Sequence, residues 1–157
     1  MLHPNFLYKL FSYCKAAGLS CLIDSNGTID FENYLDLLNL SDGVMLDVKA
    51  WDDTWFEHLT GESGTTVRKN LELLAAHNKL EEIRVIVTEG WNDAEAAVDG
   101  IALTLGEKTN RTRLRLMKFR RFGVRGPMEN SPSPSDERMT KIEAQAHKLG
   151  FGEVIIS

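Results

Sequence analysis

Three apolar runs in this chain end in charge or are interrupted by it. Leu22 and Ile23 lead into Asp24, Ser25, Asn26 and Gly27; Val44 to Leu46 lead into Asp47, Val48 and Lys49; and Arg84 stands among Ile83, Val85, Ile86 and Val87. Asp47 and Lys49 are two residues apart, so the pleat of a strand sends both to one face while Val48 turns toward a packed layer. A charge such as Arg84 in an apolar strand needs a partner or a charged ligand, because burying it alone is costly. Two carboxylates and two cations at one edge suit a zwitterionic ligand. The carboxylates would hold an ammonium group or ribose hydroxyls, and the Lys and Arg a carboxylate. The alternative is purely architectural: Asp47 pairs with Lys49 or Arg84, Asp24 caps a helix, and the network shapes a barrel mouth.

Positioning these groups requires strands that end together. Phe6, Leu7, Leu10, Phe11 and Cys14 recur at helical spacing after Pro4 and before Gly18. The spacing predicts a helix over 4–17, a strand over 19–23, a helix over 30–40 with Asp30 as its N-cap, and a strand at "GVMLDV". A loop rich in Thr, Gly and Ser follows, then a helix over 66–77, a strand over 82–88, a helix over 94–105, a strand over 113–119 and a last helix leading to "EVIIS". Strands separated by helices pair in parallel through right-handed crossovers, which makes the class α/β. The strands read mainly as continuous apolar runs, the pattern expected when both sheet faces are covered. In such folds ligands collect at the carboxyl ends of the strands, where Asp24, Asp47 and Lys49 fall.

The 157 residues, 43% apolar and 26% charged, describe a single folded domain, 1–157, and the net charge of −5 gives no reason to expect nucleic acid or an acidic membrane as partner. The basic run over 111–126 alternates as a strand with a polar rim does. No apolar stretch approaches the roughly 20 residues of a membrane span, and no signal peptide is present, so a cytoplasmic location is expected. Four histidines and two cysteines, Cys14 and Cys21, show no metal-ligand or redox spacing. "GESG" at 61–64 is neither a P-loop nor a dinucleotide fingerprint.

The ordered blocks "LIDSNG", "DGVMLDVKAWD", "HLTGESGTTVRKNLELL", "IRVIVTEGWND" and "FGVRG" resemble the C-terminal part of the activating enzymes of glycyl-radical enzymes. That family, of which pyruvate formate-lyase activating enzyme is the best known, consists of radical S-adenosylmethionine enzymes on an incomplete (β/α)6 barrel of TIM type. The resemblance covers nearly the whole chain. It implies about four parallel β/α units, the third to the sixth, with a C-terminal helix, and a chain that begins after the second barrel strand. In the family a CxxxCxxC loop binds a [4Fe-4S] cluster that cleaves S-adenosylmethionine, and the resulting deoxyadenosyl radical takes hydrogen from a glycine of the partner enzyme. A GGE motif grips the methionine amino group. Neither motif occurs in these residues.

Carried over residue by residue, the resemblance places Asp24, Asp47, Val48, Lys49 and Arg84 around S-adenosylmethionine and Met117 against its adenine. Arg120 stands where the family commonly has a histidine near the ligand, and Glu89 where a proline is usual. Asp24, Ser25, Met45 and Asp47 match positions that line a monovalent-cation site. The implied cofactors are S-adenosylmethionine and a [4Fe-4S] cluster whose ligands these residues do not include. The implied partners are a glycyl-radical enzyme and an electron donor such as flavodoxin or ferredoxin. The chain alone is expected to be catalytically silent and to self-associate through its first strand, an open edge. The competing reading is a short α/β module that binds a metabolite or protein without redox chemistry.

Overall fold

The computed structural model describes residues 3–157. Five strands, β1 (Leu22–Ser25), β2 (Gly43–Val48), β3 (Leu80–Val87), β4 (Arg113–Lys118) and β5 (Glu153–Ile156), form one parallel sheet in chain order. Sequential order means that every crossover steps in the same direction. Right-handed crossovers then put all the connecting helices on one side. Helices α1 (Pro4–Ala16) and α2 (Leu35–Leu40) touch, and α4 (Thr65–Ala76), α5 (Ala94–Leu105) and α6 (Asp136–Lys148) stand in a contiguous row. Helix α3 (Asp53–Thr60) follows the end of β2. The architecture is that of a partial (β/α) barrel wall with a C-terminal helix.

One sheet face carries the core. Val44, Leu46, Val48, Ile83, Val85, Val87, Leu114 and Leu116 lie under the helices and are essentially inaccessible. Full burial of each contributes on the order of 1.5–3 kcal/mol relative to exposure. Their pleat neighbours Met45, Asp47, Arg84, Arg115 and Met117 are only half-buried, on the opposite face. A slip of one residue would push those charges under the helices, so the apolar face fixes the register and thereby aims the charges.

This alternation corrects the expectation of strands covered on both faces. The open face includes Met45, Ile86 and Met117, whose apolar character hid the period of two in the sequence. The first strand begins three residues later than its apolar run suggested, which brings Asp24 and Ser25 inside it. The expected loop after β2 contains α3, capped by Asp52 Oδ1 accepting from Thr54 N at 2.9 Å and closed by Gly61 at φ 77°. The helix expected over 30–40 divides into a 3-10 turn (Phe31–Tyr34), capped by Asp30 as expected, and α2. The terminal "EVIIS" supplies the fifth strand.

Candidate functional site

The Asp-Ser-Asn-Gly block is a turn that delivers one carboxylate. Asp24 faces the open side beside Met45, while Ser25, paired with Leu46, points into the core and accepts from Gly27 N at 3.0 Å. Gly27 adopts φ +72°, and a Cβ there would meet Leu46 Cδ1 at 2.9 Å and Val67 Cγ2 at 3.0 Å. Only glycine accommodates both demands. Beneath the turn, the fully buried Asn70 side chain accepts from Phe31 N at 2.9 Å and donates to Gly27 O and Ile29 O, each at 2.8 Å.

At the end of β2, Lys49 Nζ donates to Asp47 Oδ2 at 2.7 Å. The other Asp47 oxygen, Oδ1, is shielded from solvent and meets no hydrogen-bond donor among the described residues. A buried carboxylate oxygen without a donor costs about 1–3 kcal/mol or more, so the arrangement is incomplete as a purely internal ion pair. Asn92 sets the position of this strand end. Its Nδ2 donates to Lys49 O at 2.8 Å and Ile86 O at 2.6 Å, and its Oδ1 accepts from Thr88 Oγ1 at 2.7 Å. Next to it Asp93 accepts from Trp51 N at 2.8 Å and Asp52 N at 2.9 Å, which folds the chain back over α5.

On β3 the Arg84 guanidinium is committed on three sides. Nε donates to Glu82 Oε1 at 2.7 Å, Nη1 to Asp24 Oδ2 at 2.8 Å and Nη2 to Met45 Sδ at 3.0 Å. Glu82 also accepts from Arg115 Nε and Nη2, both at 3.1 Å. Burial by itself pushes the Glu82 carboxyl up, but the bonds from Arg115 and Arg84 outweigh it and hold the group below the usual carboxylate value. Arg84 is held protonated more firmly than usual, chiefly by Glu82 and against the cost of burial.

The structure therefore gathers Asp24, Asp47, Lys49 and Arg84 along one sheet face, in two ion pairs, with Asp47 directly opposite Arg84 in the β2–β3 register. Asp24 pairs with Arg84 and caps no helix. Met117 lies on the same face beside Ile86. Val48 is buried under the helices and presents only its backbone to this face, and Arg120 is exposed in the loop after β4. A cavity of about 270 Å³ opens at this end, bounded by Lys49, Ile86 and Thr88 and walled by Leu59, Phe119, Val124 and Met128. A larger hollow of about 550 Å³ lies at the flank, between the start of α1 and the turn after β1, and contains none of the four charges. Glu82 and Asn92, which hold this arrangement in place, are the residues that the sequence reading missed. Glu82 stands two residues before Arg84, so the period that paired Asp47 with Lys49 also puts it beside Arg84.

Among the described residues no group of three His, Cys, Asp or Glu side chains is arranged to hold a metal ion. A [4Fe-4S] cluster held by three cysteines does not fit Cys14 and Cys21, two thiols in all.

A singly wound parallel sheet with helices on one face and charged side chains on the other defines a partial (β/α) barrel. Comparison with known proteins narrows the class. The chain is 27% identical to pyruvate formate-lyase 1-activating enzyme of Escherichia coli K12, over 96% of this chain and 67% of that protein. It is 25% identical to choline trimethylamine-lyase activating enzyme of Oleidesulfovibrio alaskensis, over 99% of this chain and 54% of that protein. A domain of pyruvate-formate lyase-activating enzyme from Bacteroides vulgatus superposes with a TM-score of 0.81 over 99% of this chain and 92% of that one; at 18% identity this likeness establishes the fold. No family model matches the chain. Together the relatives give a family-level match to the radical S-adenosylmethionine proteins that activate pyruvate formate-lyase and other glycyl-radical enzymes. The chain spans from about half to two thirds of the length of these relatives.

Proposed function

We propose that these residues form part of the S-adenosylmethionine cradle of a glycyl-radical-enzyme activase. The observation that carries the reading is Asp47 Oδ1, a shielded carboxylate oxygen without a donor among the described residues, in a cluster whose charges match a zwitterion. Binding would proceed by exchange of partners. The ligand's carboxylate takes over Arg84 Nη1 and Lys49, and the released Asp24 and Asp47 carboxylates turn to its ammonium group or ribose hydroxyls. Charge is balanced before and after, which keeps the cost of desolvation low. Met117 and the apolar wall at Phe119 and Val124 suit the adenine; Val48 contributes through its backbone, and Arg120 follows Phe119 as an exposed cation.

Asp24, Asp47, Lys49 and Arg84 would hold S-adenosylmethionine, which in the whole activase would supply the hydrogen-abstracting chemistry directed at a glycine of the partner enzyme. A [4Fe-4S] cluster finds no thiolate set in this chain, so the chain's own part is to bind and orient, and by itself it is catalytically silent. A glycyl-radical enzyme and a flavodoxin- or ferredoxin-type donor are the partners this reading implies. A monovalent cation at Asp24, Ser25, Met45 and Asp47 would have to reach Ser25 through its carbonyl, because its side chain faces the core.

Calorimetric titration with S-adenosylmethionine tests the cradle. The wild type should bind, and Asp47→Ala should bind at least tenfold more weakly, about 1.4 kcal/mol. Equal affinity of the two proteins would refute the assignment.

A further inference from the structure

Glu82 lies deeper than any of the four charges assigned to the cradle. Its side chain is 3% exposed, against 61% for Asp24, and its ion pairs are with Arg84, Arg113 and Arg115; of these only Arg84 belongs to the four. Arg84 and Arg115 are directly opposed in the β3–β4 register, and two guanidinium groups so placed repel each other. Glu82 Oε1 lies between them and accepts from both Nε atoms, while Oε2 takes Arg115 Nη2. The carboxylate is therefore a wedge that lets both arginines occupy one face.

The consequence for Arg84 is directional. A bond at Nε fixes the plane of the guanidinium and turns its Nη1 edge along the open sheet face toward the exposed Asp24. The Nη1 contact is then the exchangeable one, because its partner Asp24 can rotate into water, whereas Glu82 is enclosed and tied to a second arginine. We propose that Glu82 is a positioning residue that aims Arg84 at the carboxylate of the incoming ligand. The inference rests on the cradle reading above. It adds a residue that reaches the ligand only through Arg84 and acts on only one end of it.

That restriction provides the test. The 157-residue chain is titrated calorimetrically with S-adenosylmethionine and with 5′-methylthioadenosine, which keeps the nucleoside and lacks the amino-acid carboxylate. Glu82→Gln should weaken S-adenosylmethionine binding at least tenfold and change 5′-methylthioadenosine binding less than twofold. Unchanged affinity for both, or an equal loss on both, overturns the positioning role. Absence of S-adenosylmethionine binding by the wild type overturns the cradle itself, and this inference with it. If Glu82→Gln does not fold, Glu82→Asp carries the test, since it keeps the charge but draws the carboxylate back from Arg84 Nε. The same selective loss is expected, and retention of wild-type S-adenosylmethionine affinity would overturn the proposal.

Discussion

Asn92→Ala removes the side chain that joins the ends of β2 and β3. The native amide is buried and all four of its hydrogen-bonding positions are used: Nδ2 to Lys49 O and Ile86 O, and Oδ1 from Thr88 Oγ1 and from Thr88 N at 3.3 Å. At about 0.5–1.5 kcal/mol net per bond, with the 3.3 Å contact counted as the weakest, the loss comes to roughly 2–4 kcal/mol. For a domain of this size that corresponds to a fall in Tm of roughly 5–15 °C. Asn92→Asp separates hydrogen bonding from volume. It preserves the shape but sets a carboxylate oxygen against the Lys49 and Ile86 carbonyls, so it should lose at least as much at neutral pH. Urea unfolding followed by circular dichroism measures both variants. A change below about 0.5 kcal/mol in either would refute the claim that this amide holds the strand ends together. Because Lys49 is one of the tethered residues, S-adenosylmethionine affinity should also fall at temperatures where the variants remain folded.

Other consequences follow from the same geometry. The Glu82 carboxyl is depressed below its ordinary value of 4.5, so its stabilising contribution is complete above that pH and is lost as pH falls through the lower, folded value. Glu95, lowered chiefly by its bonds from Arg138, acts in the same direction. Stability measured by urea unfolding should be level from about pH 7 to about pH 5 and then fall, and the gap between wild type and Glu82→Gln should narrow in acid; a gap independent of pH would exclude this linkage. Gly100→Ala should lower Tm although alanine favours helix. Its Cβ would fall 2.0 Å from Trp51 Cε2, and overpacking of about 1–3 kcal/mol competes with a helix gain of about 1 kcal/mol. Unchanged Tm and near-ultraviolet dichroism would show that Trp51 relaxes freely. Strand β1 pairs only with β2 among the described strands, and its first residue, Leu22, is exposed along with Phe6, Leu10 and Tyr13 of α1. A second copy pairing along this edge should give concentration-dependent sedimentation, and a strictly monomeric profile at high concentration would count against it.

Which parts of this site were legible in the sequence follows from how local their signals are. Asp24, Asp47 and Lys49 announced themselves because each stands where an apolar run stops, and a strand end needs no tertiary knowledge to recognise. Arg84 was visible for the opposite reason, as a charge where none belongs. Glu82 carries neither mark. It follows Glu81 at the start of a strand, where acids are ordinarily solvated, and it is buried only because Arg84, Arg113 and Arg115 close over it from two strands. Helix α3 was hidden by its threonines and by the glycines and serine that follow it, although Asp52 before it and Gly61 after it are its N-cap and its left-handed stop. Strand β5 is four residues long, too short for its pattern to stand out from a tail. The burial of both sheet faces was misread because an apolar residue on the open face looks the same in sequence as one in the core. The alternation becomes certain only in the register, where Asp47 meets Arg84 and Arg84 meets Arg115 while Leu46, Ile83 and Leu114 line up behind them. The charged face thus depends on packing that contains none of its residues: eight apolar side chains under the helices determine where every charge points, and a register slip would abolish the site before it abolished the sheet.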